Sequence, residues 1–272
     1  MNSKLSSIKI LGTSITSASK RKVLEYIIKG LETKYQKFYI VTPNPEIMMY
    51  AVKHKEYQEV LNHAQVSLPD GIGVLISGRI LKKQIIGRIT GVDMMYELCH
   101  QASKRGLTVG FLGGRARVAE KTSLCLQKKY PGLIVSFAGE EWPDNFLQAK
   151  KYQVSSITYQ ANANQEILNT KYVIPNTTHI DILFVAFGFP KQEEWIAKNL
   201  ESLPVTAAMG VGGACDYISG IVPRAPKFVQ NIGMEWAYRL VRQPWRFKRQ
   251  LVLPQFILSV VKEKMDRSSR QK

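Results

Sequence analysis

Short apolar runs alternate along the chain with longer segments whose apolar residues recur at helical spacing. The runs predict strands at Ile8–Leu11, Phe38–Val41, Val66–Leu68, Thr108–Leu112, Ile134–Phe137, Ile182–Phe187 and Val205–Met209. The longer segments predict helices at 17–32, 45–62, 90–104, 115–129 and 190–200. Nearly all-apolar strands are typical of a sheet that is buried on both faces. The alternation therefore predicts an α/β fold, with a Rossmann-like, mostly parallel sheet and helices on both faces.

Two segments depart from this alternation. Residues 143–180 are rich in Asn, Gln, Thr, Ser and Tyr and predict an insertion or long surface loop, with a short helix near 163–169. The α/β body is expected to span 1–221, and residues 222–272 are expected to form a basic helical C-terminal appendage. Within that appendage, segment 251–261 is apolar but short and is interrupted by Pro254, so it could lie in an interface or pack on the protein.

Charge is concentrated in this appendage. The whole chain has a net charge of +17, and residues 221–272 hold twelve Lys or Arg against three Asp or Glu, which is 12 − 3 = +9. Within 224–249, seven basic residues are interleaved with five large aromatics and one acid, Glu235. This mixture favours an anionic membrane surface as partner, because Trp and Tyr suit the boundary between water and hydrocarbon. Nucleic acid is the alternative, since aromatic side chains also stack on bases, and a solvated basic tail is a third.

Cysteine usage and hydropathy indicate a cytoplasmic protein. Cys99, Cys125 and Cys215 are scattered and form no paired motif, so neither a disulfide framework nor a zinc site is predicted. Residues 1–12 contain no long apolar run and no cleavage signal. No apolar stretch reaches the roughly 18 residues that a membrane span needs.

Glycines and polar residues follow five of the predicted strands. The segments are Thr42–Glu46, Pro69–Gly73, Gly113–Gly114, Gly188–Glu193 and Gly210–Gly213. Ligands of open parallel sheets bind beyond the carboxyl ends of the strands, where glycine-rich loops and helix N-termini can approach a phosphate. The five loops together favour a phosphate-bearing ligand. Their spacing matches neither GxGxxG nor the P-loop, which argues against a standard dinucleotide or P-loop site.

Three charged residues in these regions are candidates for chemistry. Asp70 could face a cleft as a base or cap the following helix, and its spacing does not separate the two. Arg88 and Asp93, in the segment GRITGVD, could pair with each other, or Arg88 could hold an anion. The sequence contains no Asp-x-Asp motif, so the charge of a sugar nucleotide would fall to basic side chains and backbone amides.

Seven segments resemble the WecG/TagA/CpsF family of bacterial glycosyltransferases, in family order and over most of the chain. They are VTPNPEI (41–47), LPDGIGV (68–74), GRITGVDMM (87–95), VGFLGG (109–114), FGFPKQEEWI (187–196), GVGGACDYISG (210–220) and RAPKFVQNIGMEWAYRLVRQPWRFKR (224–249). The resemblance implies an inverting transfer of an N-acetylmannosamine-type sugar from a UDP donor. The implied acceptor is N-acetylglucosamine linked through diphosphate to a polyprenyl lipid, in surface polysaccharide or teichoic acid synthesis. The family needs no metal or other cofactor.

The resemblance also assigns roles to residues. It implies that Asp70 is the general base and that the enzyme lies at the inner face of the cell membrane. Substrate-binding roles fall on Thr42, Asn44, Arg88, Asp93, Gly114, Gln192 and Asp216. Roles near the membrane and the lipid diphosphate fall on Arg224, Arg239, Arg242, Arg246 and Arg249.

Two departures from the family pattern concern the donor. Glu140-Glu141-Trp142 stands where members usually read Gly-Tyr-Phe. Either Trp142 replaces a Tyr that helps hold uracil, or the pocket differs at this point. The segment 145–180 is also longer than is usual in the family. Because of these two departures, a different UDP-hexose is the alternative donor. Three further hypotheses stay open: a nucleic-acid-binding protein, a membrane scaffold without catalysis, and assembly into a homo-oligomer.

Overall fold

A six-stranded parallel sheet forms the centre of the protein. The computed structural model describes residues 5–143, 179–244 and 247–270. A small antiparallel hairpin comes first, formed by β1 (Ser7–Ile10) and β2 (Thr13–Thr16). The sheet strands are β3 (Phe38–Val41), β4 (Val66–Ser67), β5 (Thr108–Gly113), β6 (Ile134–Gly139), β7 (Ile180–Ala186) and β8 (Val205–Gly210). Their order is β4-β3-β8-β7-β5-β6, and every pair is parallel.

Twelve helices lie within the described residues. They are α1 (Lys20–Thr33), α2 (Pro45–Lys53), α3 (Lys55–His63), α4 (Ile72–Ile80), α5 (Gly91–Arg105), α6 (Val118–Lys129), α7 (Lys191–Asn199), α8 (Ala214–Ile218), α9 (Lys227–Asn231), α10 (Glu235–Arg242), α11 (Phe247–Gln250) and α12 (Val252–Arg270). Side-chain caps determine where three of them begin: Ser19, Asn44 and Thr90 each accept a backbone N–H from the first turn.

The alternation of side chains along the strands builds a core on each face of the sheet. On β7, Ile182 and Phe184 belong to one apolar cluster, and Leu183 and Val185 belong to the other. Helices α1, α5 and α6 cover the first face, while α2, α3 and α7 cover the second. The predicted α/β class, with a parallel sheet between two layers of helices, is therefore confirmed.

The structure contains elements that the sequence pattern missed. Strand β2 was not predicted because its hairpin turns on Leu11 and Gly12, both at positive φ, without the Asn-Gly or Asp-Gly pair that usually marks such a turn. Helix α4 was not predicted either, because its apolar residues and three glycines or serines lack a clear amphipathic period. The predicted helix at 45–62 is divided at His54 into α2 and α3.

The end of the chain packs on the body. Phe256 and Val260 of α12 are fully buried in a third apolar cluster with Ile10, Met48 and Val74. Pro254 lies in the first turn of α12, where its missing N–H removes no helical hydrogen bond, so it does not interrupt the helix. Part of segment 251–261 therefore packs on the protein, which was one of the two expected placements.

Two predictions about the organisation of the chain stay predictions. The predicted boundary near residue 221 stays a prediction, although α12 contributes to the same core as residues before that boundary. Most of the predicted insertion at 143–180, including its short helix, lies outside the described residues. Within the described ranges, none of the helices combines the length and the apolar character needed to cross a membrane.

Candidate active site

A cleft of about 990 Å³ lies at the carboxyl edge of the sheet. All five of the glycine-rich or polar loops contribute to its lining, through Asn44, Asp70, Gly114, Gln192 and Gly212. The prediction that these loops gather along one edge is confirmed. The physical reason is the parallel register of the strands, which brings every strand exit to the same side.

Thr42 and Asn44 shape the exit of β3. The buried Thr42 hydroxyl donates to the Gly210 carbonyl at 3.3 Å and so ties the ends of β3 and β8 together. The Asn44 side chain accepts the Ile47 N–H at 3.0 Å and caps α2. Both residues line the cleft while also serving these structural bonds.

Asp70 lies where the large cleft meets a smaller one of about 240 Å³. Its carboxylate accepts the N–H of Gly91, the first residue of α5, at 3.4 Å. The residue at the N-cap of α4 is Gly71, and among the described residues no side chain caps that helix. Helix capping of the segment that follows Asp70 is therefore not its role, and the carboxylate faces both clefts.

The environment of Asp70 makes it a stronger base than an ordinary aspartate. Burial raises the pKa of Asp70 from 3.8 to about 6, although the Gly91 N–H works in the opposite direction. The charge of Glu235 raises this pKa further, and the charge of Arg88 lowers it. A carboxylate with this pKa is mostly ionised at neutral pH and can still accept a proton readily.

Gln192 holds two of the loops together. Its side-chain oxygen accepts the N–H of Gly212 at 2.9 Å and that of Gly188 at 3.2 Å. Its amide nitrogen donates to Glu193 at 2.7 Å, and the Tyr57 hydroxyl donates to the other oxygen of Glu193 at 3.0 Å. Gln192 thus fixes the exits of β7 and β8 beside the cleft that it lines.

Glu193 and Tyr57 form the hydrogen bonds that hold Gln192 in place, and the sequence analysis predicted neither residue. Glu193 is completely buried, and burial raises its pKa to about 7. The only signal in the sequence was an acid directly after Gln192, which does not reveal a tyrosine 136 positions away as its partner.

The arginine pairings differ from the sequence expectation. Arg88 does not pair with Asp93: it donates to the Gln230 carbonyl at 2.6 Å and lies 3.6 Å from Glu235. Asp93 instead accepts from Arg224 at 2.7 Å and from the Thr90 hydroxyl at 2.7 Å. Burial alone would raise the pKa of Asp93, but these hydrogen bonds lower it below its usual range.

Two more tail arginines contact carboxylates of the body. Arg239 lies 3.7 Å from Asp216 and over the ring of Tyr217, and Arg249 binds Glu46. Together with the Arg224–Asp93 pair, these contacts bridge the appendage to the rim of the cleft. Each of these arginines therefore reaches the cleft with its positive charge partly compensated by a carboxylate.

The predicted arginine cluster is only partly assembled. Arg224, Arg239 and Arg249 line the clefts. Arg242 is exposed at the end of α10 with its guanidinium over Tyr238, and it is not among the described residues that line either cleft. Helix α10 ends at Arg242, so the tail arginines do not share one helical face. Arg246 lies outside the described residues.

Several aromatic side chains form part of the lining of the large cleft. Trp195 of α7 is part of the lining, whereas Trp142 is absent from it among the described residues. Trp142 packs on Phe137, with ring centroids 5.2 Å apart, and lies 6.3 Å from Trp195. The expected contact between Trp142 and uracil stays a prediction.

An apolar groove of about 650 Å³ adjoins the small cleft, and the two share Trp236 and Leu253. Its lining is formed by Trp236, Leu240, Phe247, Leu251, Leu253, Pro254, Ile257 and Leu258. Two buried donors beside the small cleft, Arg224 Nη2 and Trp236 Nε1, have no hydrogen-bond partner among the described residues. This side of Asp70 therefore brings two unsatisfied donors, the cationic Arg224 and the neutral indole of Trp236, next to an apolar groove.

In 5–143, 179–244 and 247–270, no three His, Cys, Asp or Glu side chains come together as a candidate metal site. The expectation of a metal-free reaction stays a prediction.

Sequence comparisons point to one enzyme family. A relative from Bacillus subtilis (strain 168) is 33% identical over 230 residues, covering 85% of this chain and 81% of the relative. A Staphylococcus aureus (strain MW2) relative is 30% identical over 258 residues, covering 94% and 93%. Both are named N-acetylglucosaminyldiphosphoundecaprenol N-acetyl-beta-D-mannosaminyltransferase. The model of the glycosyl transferase WecG/TagA/CpsF family matches residues 8–270. This chain, with its parallel sheet and its cleft at the strand ends, belongs to the WecG/TagA/CpsF family of glycosyltransferases.

Proposed function

We propose that this enzyme transfers an N-acetylmannosaminyl residue from a UDP donor to N-acetylglucosamine carried on a polyprenyl diphosphate, with inversion and without a metal. The names of the relatives support the sugar and the acceptor. The observation that carries the proposal is the position of Asp70 between a large cleft lined by the loops at the strand exits and a smaller cleft, lined by four arginines and three acids, that leads into an apolar groove. A polar donor and an amphipathic acceptor would meet at this carboxylate.

The donor fits the large cleft. Its walls include Gly114, at positive φ, where the lack of a side chain lets the backbone approach a phosphate. The neighbouring Gly212 also lines the cleft, with its N–H bonded to Gln192. Arg239 and Arg249 reach the same space and would stabilise the charge that grows on the departing UDP. Trp195 offers an apolar wall for the uracil ring or the sugar.

The acceptor fits the opposite side of Asp70. The diphosphate would receive hydrogen bonds from Arg224 Nη2 and Trp236 Nε1, which are buried donors without partners, and would lie near Arg88. The first isoprene units would lie in the apolar groove. Since Trp236 lines both spaces, the lipid can leave the small cleft directly into the groove.

Asp70 would then act as the general base. It takes the proton from the acceptor hydroxyl while that oxygen attacks the anomeric carbon and the bond to UDP breaks. A single displacement of this kind inverts the configuration at the anomeric carbon. Positioned bases typically contribute about 10²–10⁴-fold to the rate. Because the pKa of Asp70 is raised to about 6, turnover should fall as the pH drops below about 6 and the carboxylate becomes protonated.

The surface of the appendage suits an anionic membrane at the inner face of the cell. Phe228, Ile232 and Val241 of the appendage are 69%, 64% and 79% exposed. The exposed cations Lys227 and Arg242 are direct neighbours in sequence of Phe228 and Val241. Apolar side chains beside cations fit the headgroup region of such a membrane, where each basic residue contributes about 1 kcal/mol. This surface would bring the groove to the lipid acceptor.

The direct test is turnover with UDP-N-acetylmannosamine and a short-chain prenyl-diphosphate acceptor, with the anomeric configuration of the product read by NMR. Asp70→Asn keeps the shape and should lower turnover by about 10²-fold or more while UDP affinity in calorimetry is unchanged. Asp266→Asn, at an exposed acid of α12, is the matched control and should keep wild-type turnover.

The same assay separates the parts of the proposal. Near-normal turnover of Asp70→Asn would exclude the base role. Faster transfer from another UDP-hexose in a donor panel would correct the donor sugar. Loss of turnover in EDTA that Mg²⁺ restores would contradict a metal-free reaction.

A further inference from the structure

Glu235 stands out as the only acid in the basic segment 224–249. It is the first residue of α10, and its carboxylate contacts two arginines that come from different parts of the chain. Arg224 Nε lies 3.1 Å from it and Arg88 Nη2 lies 3.6 Å from it, and all three side chains are about one-fifth exposed. A carboxylate in the first turn of a helix is also stabilised by the helix dipole, which favours its ionised form.

The two arginines are held on their other sides as well. Arg224 donates to Asp93 of α5 at 2.7 Å, and Arg88 donates to the Gln230 carbonyl of α9 at 2.6 Å. Glu235 therefore completes a chain of contacts that runs from α5, through both arginines, to helices α9 and α10. Removing its charge leaves Arg88 with the neutral Gln230 carbonyl as its partner among the described residues.

Asp70 and Glu235 line the same small cleft, with Arg88 in the lining between the body and the appendage. After burial and the Gly91 N–H, the charges that act most strongly on Asp70 are Glu235, which disfavours its ionised form, and Arg88, which favours it. Glu46, Arg224, Arg239 and Arg249 line the same cleft. Without Glu235, the charge of Arg88 would act on Asp70 uncompensated. An arginine that stabilises the carboxylate makes it a weaker base, and an ion pair between them would occupy the oxygen that the substrate proton needs.

Resting on the proposed function, we propose that Glu235 is a positioning residue that keeps Arg88 and Arg224 aligned for the acceptor diphosphate and keeps Arg88 from neutralising Asp70. Glu235 does not touch the reacting atoms. It acts through two arginines and determines how strong a base Asp70 is. This role explains why one acid is placed inside a segment that otherwise carries only positive charge.

The test is the pH profile of kcat/KM in Glu235→Gln. Loss of the negative charge should lower the pKa of Asp70, so the midpoint of the acid limb should move down by about half a pH unit or more. Turnover on the plateau should fall several-fold because the base is weaker, and the KM for the acceptor should rise because Arg88 is less well held. Glu235→Asp retains the charge and should restore the wild-type midpoint.

Asp93→Asn is the matched control. It removes the other carboxylate of Arg224, but Asp93 is not among the charges that act most strongly on Asp70, so the midpoint of the acid limb should move less than in Glu235→Gln. A change in the fold can be separated from a change in charge by titrating the ¹³C-labelled aspartate carboxyls by NMR, which reports on Asp70 without turnover.

The outcomes distinguish this inference from the function on which it rests. An acid limb that persists in the residual activity of Asp70→Asn would overturn the base role and this inference with it. An acid limb that depends on Asp70 but has the same midpoint in Glu235→Gln would overturn the inference alone. An equal shift in Asp93→Asn would also overturn it, because the effect would then come from general loosening of the arginines.

Discussion

A buried acid beneath the cleft leads to a quantitative prediction about stability. Glu193 is completely buried, and its carboxylate is held by Tyr57 and Gln192. Despite these donors, burial raises its pKa from 4.5 to about 7. A group whose pKa is higher in the folded state binds its proton more tightly there, so its contribution to stability is present below the unfolded pKa and is lost as the pH rises through the folded value.

The expected magnitude follows from the change in pKa. At about 1.4 kcal/mol per pKa unit, a rise from 4.5 to about 7 corresponds to roughly 3 kcal/mol, lost between about pH 4.5 and pH 7. Glu193→Gln keeps the shape and a side-chain oxygen for Gln192, and it removes the titration. The variant should therefore be close to wild type in free energy of unfolding at pH 5 and more stable at pH 8, by up to about 3 kcal/mol.

Urea unfolding of both proteins at several pH values measures this directly. The difference between wild type and variant isolates Glu193, because other titrating groups such as Asp70 and His179 are common to both. Parallel stability curves for the two proteins would refute the reasoning, since Glu193 would then titrate alike in the folded and unfolded states. Equal m-values are the control that the unfolded states are comparable.

Three further predictions concern other parts of the molecule. If the ring of Trp195 stacks on uracil, Trp195→Ala should weaken UDP binding by about 1–3 kcal/mol in calorimetry. Trp142 lies behind the lining, so Trp142→Ala should weaken UDP binding less. A larger loss of UDP affinity in Trp142→Ala would place Trp142 in the donor site instead. Changing Phe228 and Ile232 together to Ser should reduce co-sedimentation with anionic vesicles without changing UDP affinity, and binding to duplex DNA in place of vesicles would support the nucleic-acid alternative. Phe256→Ala should lower the free energy of unfolding by about 3–5 kcal/mol, because this side chain is fully buried; a loss below about 1 kcal/mol in urea titration would mean that α12 is dispensable to the core.

The sheet and the position of the cleft could be predicted because both depend on local patterns. The apolar runs at Phe38–Val41 and Val205–Gly210 are long enough and flanked clearly enough to identify buried strands. The loops after them contain glycines and prolines, and parallel topology then requires those loops to meet. Hairpin strand β2 and helix α4 were missed because their segments lack the turn residues or the apolar period that would reveal them.

The side-chain pairings could not be predicted in the same way, because they depend on distances between remote segments. Arg88 and Asp93 are neighbours on one motif, yet Asp93 binds Arg224, which is 131 positions away. Proximity in sequence suggested a pair between Arg88 and Asp93, but α5 places the Asp93 carboxylate beside Arg224 of the appendage. Trp142 and Trp195 show the same limit, since which of two neighbouring rings lines a cleft depends on a few ångströms of packing.

These long-range pairs also change the meaning of the basic tail. The concentration of positive charge in residues 224–249 first indicated a surface that binds membrane or nucleic acid. In the structure, Arg224, Arg239 and Arg249 contact Asp93, Asp216 and Glu46 of the body. A partly exposed ion pair of this kind adds little stability alone, but three of them around one cleft fix where the appendage lies. The tail therefore forms a wall of the candidate active-site cleft, and only the exposed cations and apolar side chains outside that cleft remain for a membrane.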